Sequence, residues 1–223
     1  YGSVSAISPS VAYILGAHPK DRARVRATVR MGLWAVLALS LPLVAALAWT
    51  REALVLLGQD AAIAATAQTW ASAIACGLPF ALGFAALRSF ATAIGHQRAV
   101  VVIATASVGV NIAGNWVFIY GNLGAPALGV QGSGIASALS AVFQFSTMLV
   151  VCTWGRAFRT YRILHRFGRP DWERFAGIFR LGIPIGLSSI FEAMLFNAAT
   201  LLMGTFGAAT VAAHQIALNF ASV

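Results

Sequence analysis

Near its C-terminal end the chain carries one acid inside a long apolar run. The run covers residues 181–206 and the acid is Glu192; no other Asp or Glu falls within an apolar stretch. The nearest basic flank is Arg180. A helix would therefore place the carboxyl about 18 Å inward, roughly half the depth of a ~30 Å hydrocarbon core. An ionisable group at that depth costs on the order of 2.5–3.5 kcal/mol, so Glu192 reads as functional rather than structural. Its ionised form is disfavoured there. The carboxyl can hold and release a proton, or give it up when a cation such as Na+ brings the counter-charge. An organic cation competing for the same carboxylate turns either use into exchange.

Five stripes of polar residues could share an interior with that carboxyl, because lipid-facing surface is apolar and polar residues at helical spacing mark the other face. Ser188 lies one turn before Glu192 and Phe196 one turn after, in line with Pro184, and Ser189 is close beside them. Ser107, Asn111 and Asn115 recur every four residues. Ser133, Ser137, Ser140, Gln144 and Thr147 form a third stripe; Thr69, Ser72 and Cys76 run toward Pro79; Gln215, Asn219 and Ser222 follow His214. Serine and threonine also serve as helix–helix contacts worth about 0.6 kcal/mol each. The amides Asn111, Asn115 and Gln215 have more polar atoms to satisfy. Gly182 with Gly186, and Gly132 and Gly134 with Ala138, mark close helix approaches. Pro184 frees the carbonyl of Arg180 and allows its helix to bend.

Long apolar helices must carry these positions. The chain has 223 residues, 59% hydrophobic and 9% charged, with a mean hydropathy of +0.81; a soluble domain carries roughly 25% charge. The class expected is an all-α polytopic membrane protein, since the runs lack the period-two alternation of a transmembrane barrel. About seven spans are expected, at 1–17, 31–49, 61–95, 99–120, 135–154, the run of Glu192, and 211–223, with the first and last truncated. The chain is thus expected to be an internal piece of a longer protein, opening on Tyr1 and stopping in ALNFASV inside an apolar run. The third span, about 50 Å if straight, should bend at Gly77-Leu78-Pro79. Residues 50–60 read as a short interfacial segment. Residues 156–180, with seven Arg, should hold an amphipathic interfacial segment. Cys76 and Cys152 read as buried free thiols.

Thirteen basic residues follow spans one, three and five, and one follows spans two, four and six. The positive-inside rule then puts loops 18–30, 96–98 and 155–180 on the cytoplasmic side of the inner (plasma) membrane. Arg88 is left over near the cytoplasmic end of the third span, where it would snorkel. The net charge of +9 does not imply nucleic acid, because the basic residues gather at the ends of alternate spans. No H-E-x-x-H, C-x-x-C, G-x-S-x-G or Walker A pattern occurs, and no TVGYG filter. The histidines His18, His96, His165 and His214 fall on different loops or spans. Neither an enzyme nor a metal cluster is expected.

Four stretches together resemble the multidrug and toxic compound extrusion (MATE) family, in its bacterial drug/cation antiporter branch. They are LGIPIGLSSIFEAMLF (181–196), AAHQIALNF (212–220), NIAGNWVFIYGNLGAPALGVQGSGIAS (111–137) and the Arg-rich turn into RMGLW (30–34). With the matching topology they cover nearly the whole chain. The resemblance implies a fragment of a twelve-helix, two-lobe transporter, from late helix two into helix eight. Residues 1–155 would form most of the N-lobe, 156–176 the cytoplasmic inter-lobe linker, and 177–223 the start of the C-lobe. It implies that Glu192 is the cation-coupling acid of the C-lobe, with Na+ bound there if Na+ is the coupling ion. Asn111 and Asn115 would lie near the N-lobe cation or proton site. Gln215 and Phe196, with Ser188 and Asn219, would line the substrate cavity. The family's acidic residues of helices one and ten are not among these 223 residues.

The function expected is a secondary-active multidrug efflux antiporter that exchanges H+ or Na+ for cationic amphipathic compounds by alternating access. Its partners would be those small cations and the lipid bilayer, with no cofactor beyond the coupling ion. Two rivals stay open. A lipid-linked oligosaccharide flippase of the same architecture would favour several cationic residues in its cavity. A non-transporting membrane scaffold would be indifferent to Glu192→Gln.

Overall fold

The structure is a computed structural model and describes residues 7–17, 21–58, 60–124, 126–161, 163 and 171–204. Its elements are α1 (Ile7–Ala17), α2 (Arg22–Ala48), α3 (Thr50–Leu56), α4 (Ala61–Ala75), α5 (Leu78–Ala93), α6 (Gln97–Tyr120), a 3-10 turn (Asn122–Gly124), α7 (Val130–Trp154) and α8 (Trp172–Gly204). Among the described residues no strand occurs. Helices α2, α6, α7 and the Phe175–Thr200 part of α8 are each long and apolar enough to cross a membrane, and α4 with α5 adds a fifth crossing if the bent pair is one span. The expected last span, 211–223, lies outside the described residues.

The bend in the third span is where Pro79 demands it: α4 and α5 meet at 52°. Pro79 sits in the first turn of α5, where a missing N–H costs nothing. Gly77, at the elbow, is buried against α7; a Cβ there would lie 2.6 Å from the Cα of Ala138. The close approach expected at Gly134 is real too, since a Cβ on it would fall 2.6 Å from that of Ala73 on α4. Small residues thus let α7 lie directly on both sides of the bend.

Four helix starts come earlier than the apolar runs suggest, that of α6 by two residues, at Gln97 rather than 99. Helix α2 begins at Arg22 rather than 31, so Arg22, Arg24, Arg26 and Arg30 of the expected loop 18–30 are helical. Asp21 caps it: the Arg24 N–H donates to Asp21 Oδ1 at 3.0 Å, and Arg24 Nε lies 2.8 Å from Oδ2. Helix α7 begins at Val130 rather than 135, and α8 at Trp172 rather than 181, which takes 172–180 out of the expected loop 155–180. The cause is shared. An apolar run marks what hydrocarbon can hold, whereas a helix continues to its cap. Helix α8 continues through Pro184 as one helix.

Helix α7 packs along α6 and also on α4 and α5; α2 packs on α1, α4, α5 and α8. The main core joins Ile7 and Val11 of α1 to Val29 of α2, Phe90 of α5 and Met148 of α7. After α7 the chain turns back, so that Phe158, 3% exposed, meets Phe90 edge-on at 5.9 Å and the His96 ring at 5.1 Å. A second cluster docks the first turns of α8 on α2, with Met31, Ala35 and Ile178 buried and Phe175 and Phe179 packed around them. Gln68 of α4 ties α2 to α3: its Oε1 accepts from the Arg51 N–H at 3.0 Å and its Nε2 donates to the Leu47 carbonyl at 3.3 Å. Cys152 is buried as expected, but Cys76 is exposed.

Candidate functional site

Helix α6 turns one polar face toward α7. Ser107 is buried and Asn111 and Asn115 are half-buried, while Val108 and Ile112 between them are exposed. Gln144 of α7 donates to Ser107 Oγ at 2.5 Å, and Ser107 donates on to the Ala104 carbonyl at 2.7 Å. Further along the same face, Asn115 Nδ2 donates to Asn111 Oδ1 at 2.9 Å. Asn115 Oδ1 is buried and receives no hydrogen bond. A buried acceptor left without a donor costs about 1–3 kcal/mol, and it suits either a donor or a cation. The seam is therefore complete at Gln144 and open at Asn115.

The remaining stripes are satisfied differently. Ser140 is buried but donates within its own helix, to the Ala136 carbonyl at 2.8 Å. Ser133, Ser137 and Thr147 are half-buried. Thr69, Ser72 and Cys76, expected on an interior face, are exposed. The Thr69 hydroxyl donates to the Ala65 carbonyl at 3.0 Å and that of Ser72 to the Thr69 carbonyl at 2.9 Å. A hydroxyl that bonds back to its own helix needs no partner helix.

Glu192 sits beyond the midpoint of the 33-residue α8. Its side chain is exposed, as are those of Ser188 and Phe196 on the same stripe. The packing of α8 on the described chain is concentrated at its start, on α2. No hydrogen bond or ion pair joins Glu192 to another described residue. The described residues bring Asn111 and Asn115 together and set Ser188, Glu192 and Phe196 in line, without joining the two groups. Gln215 and Asn219 lie outside the described residues. No group of three His, Cys, Asp or Glu that could hold a metal occurs among the described residues. The donors present are carboxylate, amide and hydroxyl oxygens, which suit hard cations.

Nothing in the polar stripes points to an apolar hollow of about 260 Å³ at the elbow, lined by Leu33, Leu37, Pro79, Phe80, Gly83 and Phe145. The signal was the four-residue step from Pro79 to Gly83. It puts a bend and a missing side chain on one face.

A family model described as MatE matches residues 1–117. Among curated proteins, a probable multidrug resistance protein NorM of Mesorhizobium japonicum is 42% identical over 224 residues, covering 100% of this chain and 48% of that protein. The corresponding protein of Bradyrhizobium diazoefficiens is 38% identical, covering 100% of this chain and 47% of its own length. The multidrug resistance protein NorM of Vibrio vulnificus is 32% identical, with 100% and 48% covered. The chain spans about half the length of the curated relatives it matches. Two solved structures share the fold. One is an inward-facing multidrug resistance MATE family transporter of the MOP superfamily, with TM-score 0.74, 23% identity, and 91% of this chain and 45% of that chain covered. The other is the eukaryotic MATE transporter AtDTX14, with TM-score 0.77, 21% identity, and 91% and 44% covered.

Proposed function

The chain belongs to the MatE family, and from that premise we propose that it forms part of a secondary-active multidrug efflux antiporter of the bacterial inner membrane. The observation that carries the reading is the stripe Ser188–Glu192–Phe196: a lone carboxyl far along an apolar helix, exposed, with no counter-charge bonded to it among the described residues. Such a group takes a proton, an alkali cation or an organic cation, one at a time. Mutual exclusion at one carboxylate is the elementary step of antiport. Binding energy for an amphipathic cation comes from the aromatic face of Phe196 beside that charge. The relatives are named multidrug resistance proteins, which agrees with such a substrate class.

Residues 1–155 then belong to the N-lobe, 156–176 to the linker and 177–223 to the start of the C-lobe. The basic segments 18–30, 96–98 and 155–180, helical in part, face the cytoplasm on the strength of their basic residues. The open oxygen of Asn115 beside Asn111 is a second cation or proton subsite, in the N-lobe. Gln215 and Asn219 join Ser188 and Phe196 in lining the substrate cavity.

The test is dye efflux from vesicles carrying the full-length transporter of which this chain forms part, under imposed H+ and Na+ gradients. Wild type should respond to at least one gradient, and Glu192→Gln should fall to the level of empty vesicles. Undiminished gradient-driven efflux in the variant would overturn the assignment.

A further inference from the structure

A groove of about 430 Å³ runs between α1, α5 and α6, away from the residues discussed above. One wall is polar: Ser8 of α1 with Arg88, Ser89 and Thr92 of α5, and Gln97 at its edge. Val100 and Val101 of α6 add apolar lining. Arg88 is exposed. None of the five polar side chains is hydrogen-bonded or ion-paired to another described residue. Ser89 and Thr92 do not make the bond back to their own helix that Thr69 and Ser72 make on α4. Their donors are left pointing at a ligand or at solvent.

Arg88 lies five residues before the end of α5, about 8 Å along the axis, so its guanidinium reaches the membrane boundary. We propose that this groove holds the phosphate of an anionic phospholipid, with Arg88 as the charged donor and Ser8, Ser89, Thr92 and Gln97 as neutral ones. A guanidinium fork with several hydroxyls around it matches the many oxygens of a phosphate. The apolar lining takes the glycerol and the first acyl carbons, for which a free phosphate has no use. Basic pockets between spanning helices on the cytoplasmic side are where anionic headgroups collect. The choice of leaflet rests on the orientation proposed above; the binding chemistry does not.

The full chain, purified in detergent, would be titrated with phosphatidylglycerol, phosphatidylcholine and inorganic phosphate, with bound lipid read by native mass spectrometry and unfolding by thermal shift. Phosphatidylglycerol should bind and raise the unfolding midpoint, and the other two should not. Arg88→Gln should weaken that binding roughly tenfold, about 1.4 kcal/mol, and Arg88→Lys should restore part of it. Ser89→Ala with Thr92→Val should weaken it at unchanged charge, which keeps the test open if Arg88→Gln folds poorly. Equal phosphatidylglycerol affinity in wild type and both kinds of variant would overturn the site. Equal binding of phosphatidylcholine, or the same shift from inorganic phosphate alone, would overturn the assignment to an anionic lipid. No ion gradient is involved, so failure of the antiport reading leaves this result untouched.

Discussion

Asn115 donates a hydrogen bond to Asn111 along one turn of α6, at 2.9 Å, while its own side-chain oxygen stays buried without a donor. One of the pair's two amide oxygens thus accepts and the other is left without a donor among the described residues. A visitor bearing a proton or a positive charge completes the arrangement; another acceptor would not.

Asn111→Ala should weaken ion coupling more than Ser137→Ala. The first removes one of the two oxygens and strands the Asn115 N–H, a loss of about 1–3 kcal/mol. The ion concentration for half-maximal efflux should rise roughly tenfold. The second removes a half-buried hydroxyl that is not hydrogen-bonded to another described residue and should change it less than about twofold. Equal effects would return the α6 seam to a simple helix contact.

Ala138→Leu should lower the thermal unfolding midpoint of the full chain in detergent by several degrees. The larger side chain has to displace the Gly77 backbone at the α4–α5 elbow, and forced overpacking costs about 1–3 kcal/mol. Ala138→Gly, which adds no bulk, should cost about 1 kcal/mol or less. An unchanged midpoint for the leucine variant would show that the elbow slides freely over α7.

The elbow was legible because a proline inside an apolar run has one steric consequence. The missed helix starts were legible as well, but in a different alphabet: Asp21 announces Arg22 as a cap, not through hydropathy. The stripes were harder to read. Hydroxyls at helical spacing on α4 look like those on α7, yet Thr69 and Ser72 are exposed where Ser140 is buried, though all three bond within their own helices. Buried amides were the better guide. Gln144 reaches across to Ser107, and Asn115 reaches along to Asn111. Exposed Asn197 folds back to the Ala193 carbonyl at 2.8 Å, so amide type alone does not decide it. The groove around Arg88 was harder to read, because Ser8 of α1 comes to it from 80 positions away while its other lining residues fall within 88–101.

Gln68→Ala should loosen the junction of α2 and α3 without unfolding the chain. It removes the acceptor of the Arg51 N–H and the donor to the Leu47 carbonyl. Both lie near solvent, so the global cost should stay within about 1–2 kcal/mol. Hydrogen exchange at the Arg51 amide should accelerate roughly tenfold while α6 and α7 amides stay protected. Unaltered exchange at Arg51 would mean that the short α3 helix holds itself.

Helix α8 is gripped at one end. Phe175, Ile178 and Phe179 are seated on α2, and the helix then runs on without interruption past Glu192. The carboxyl is about 21 Å from that seat. A tilt of about 10° at the fulcrum therefore sweeps the carboxyl sideways by about 4 Å, close to the width of a bare cation's coordination shell. Small adjustments in that patch of apolar side chains would be geared up into a change of address for the charge.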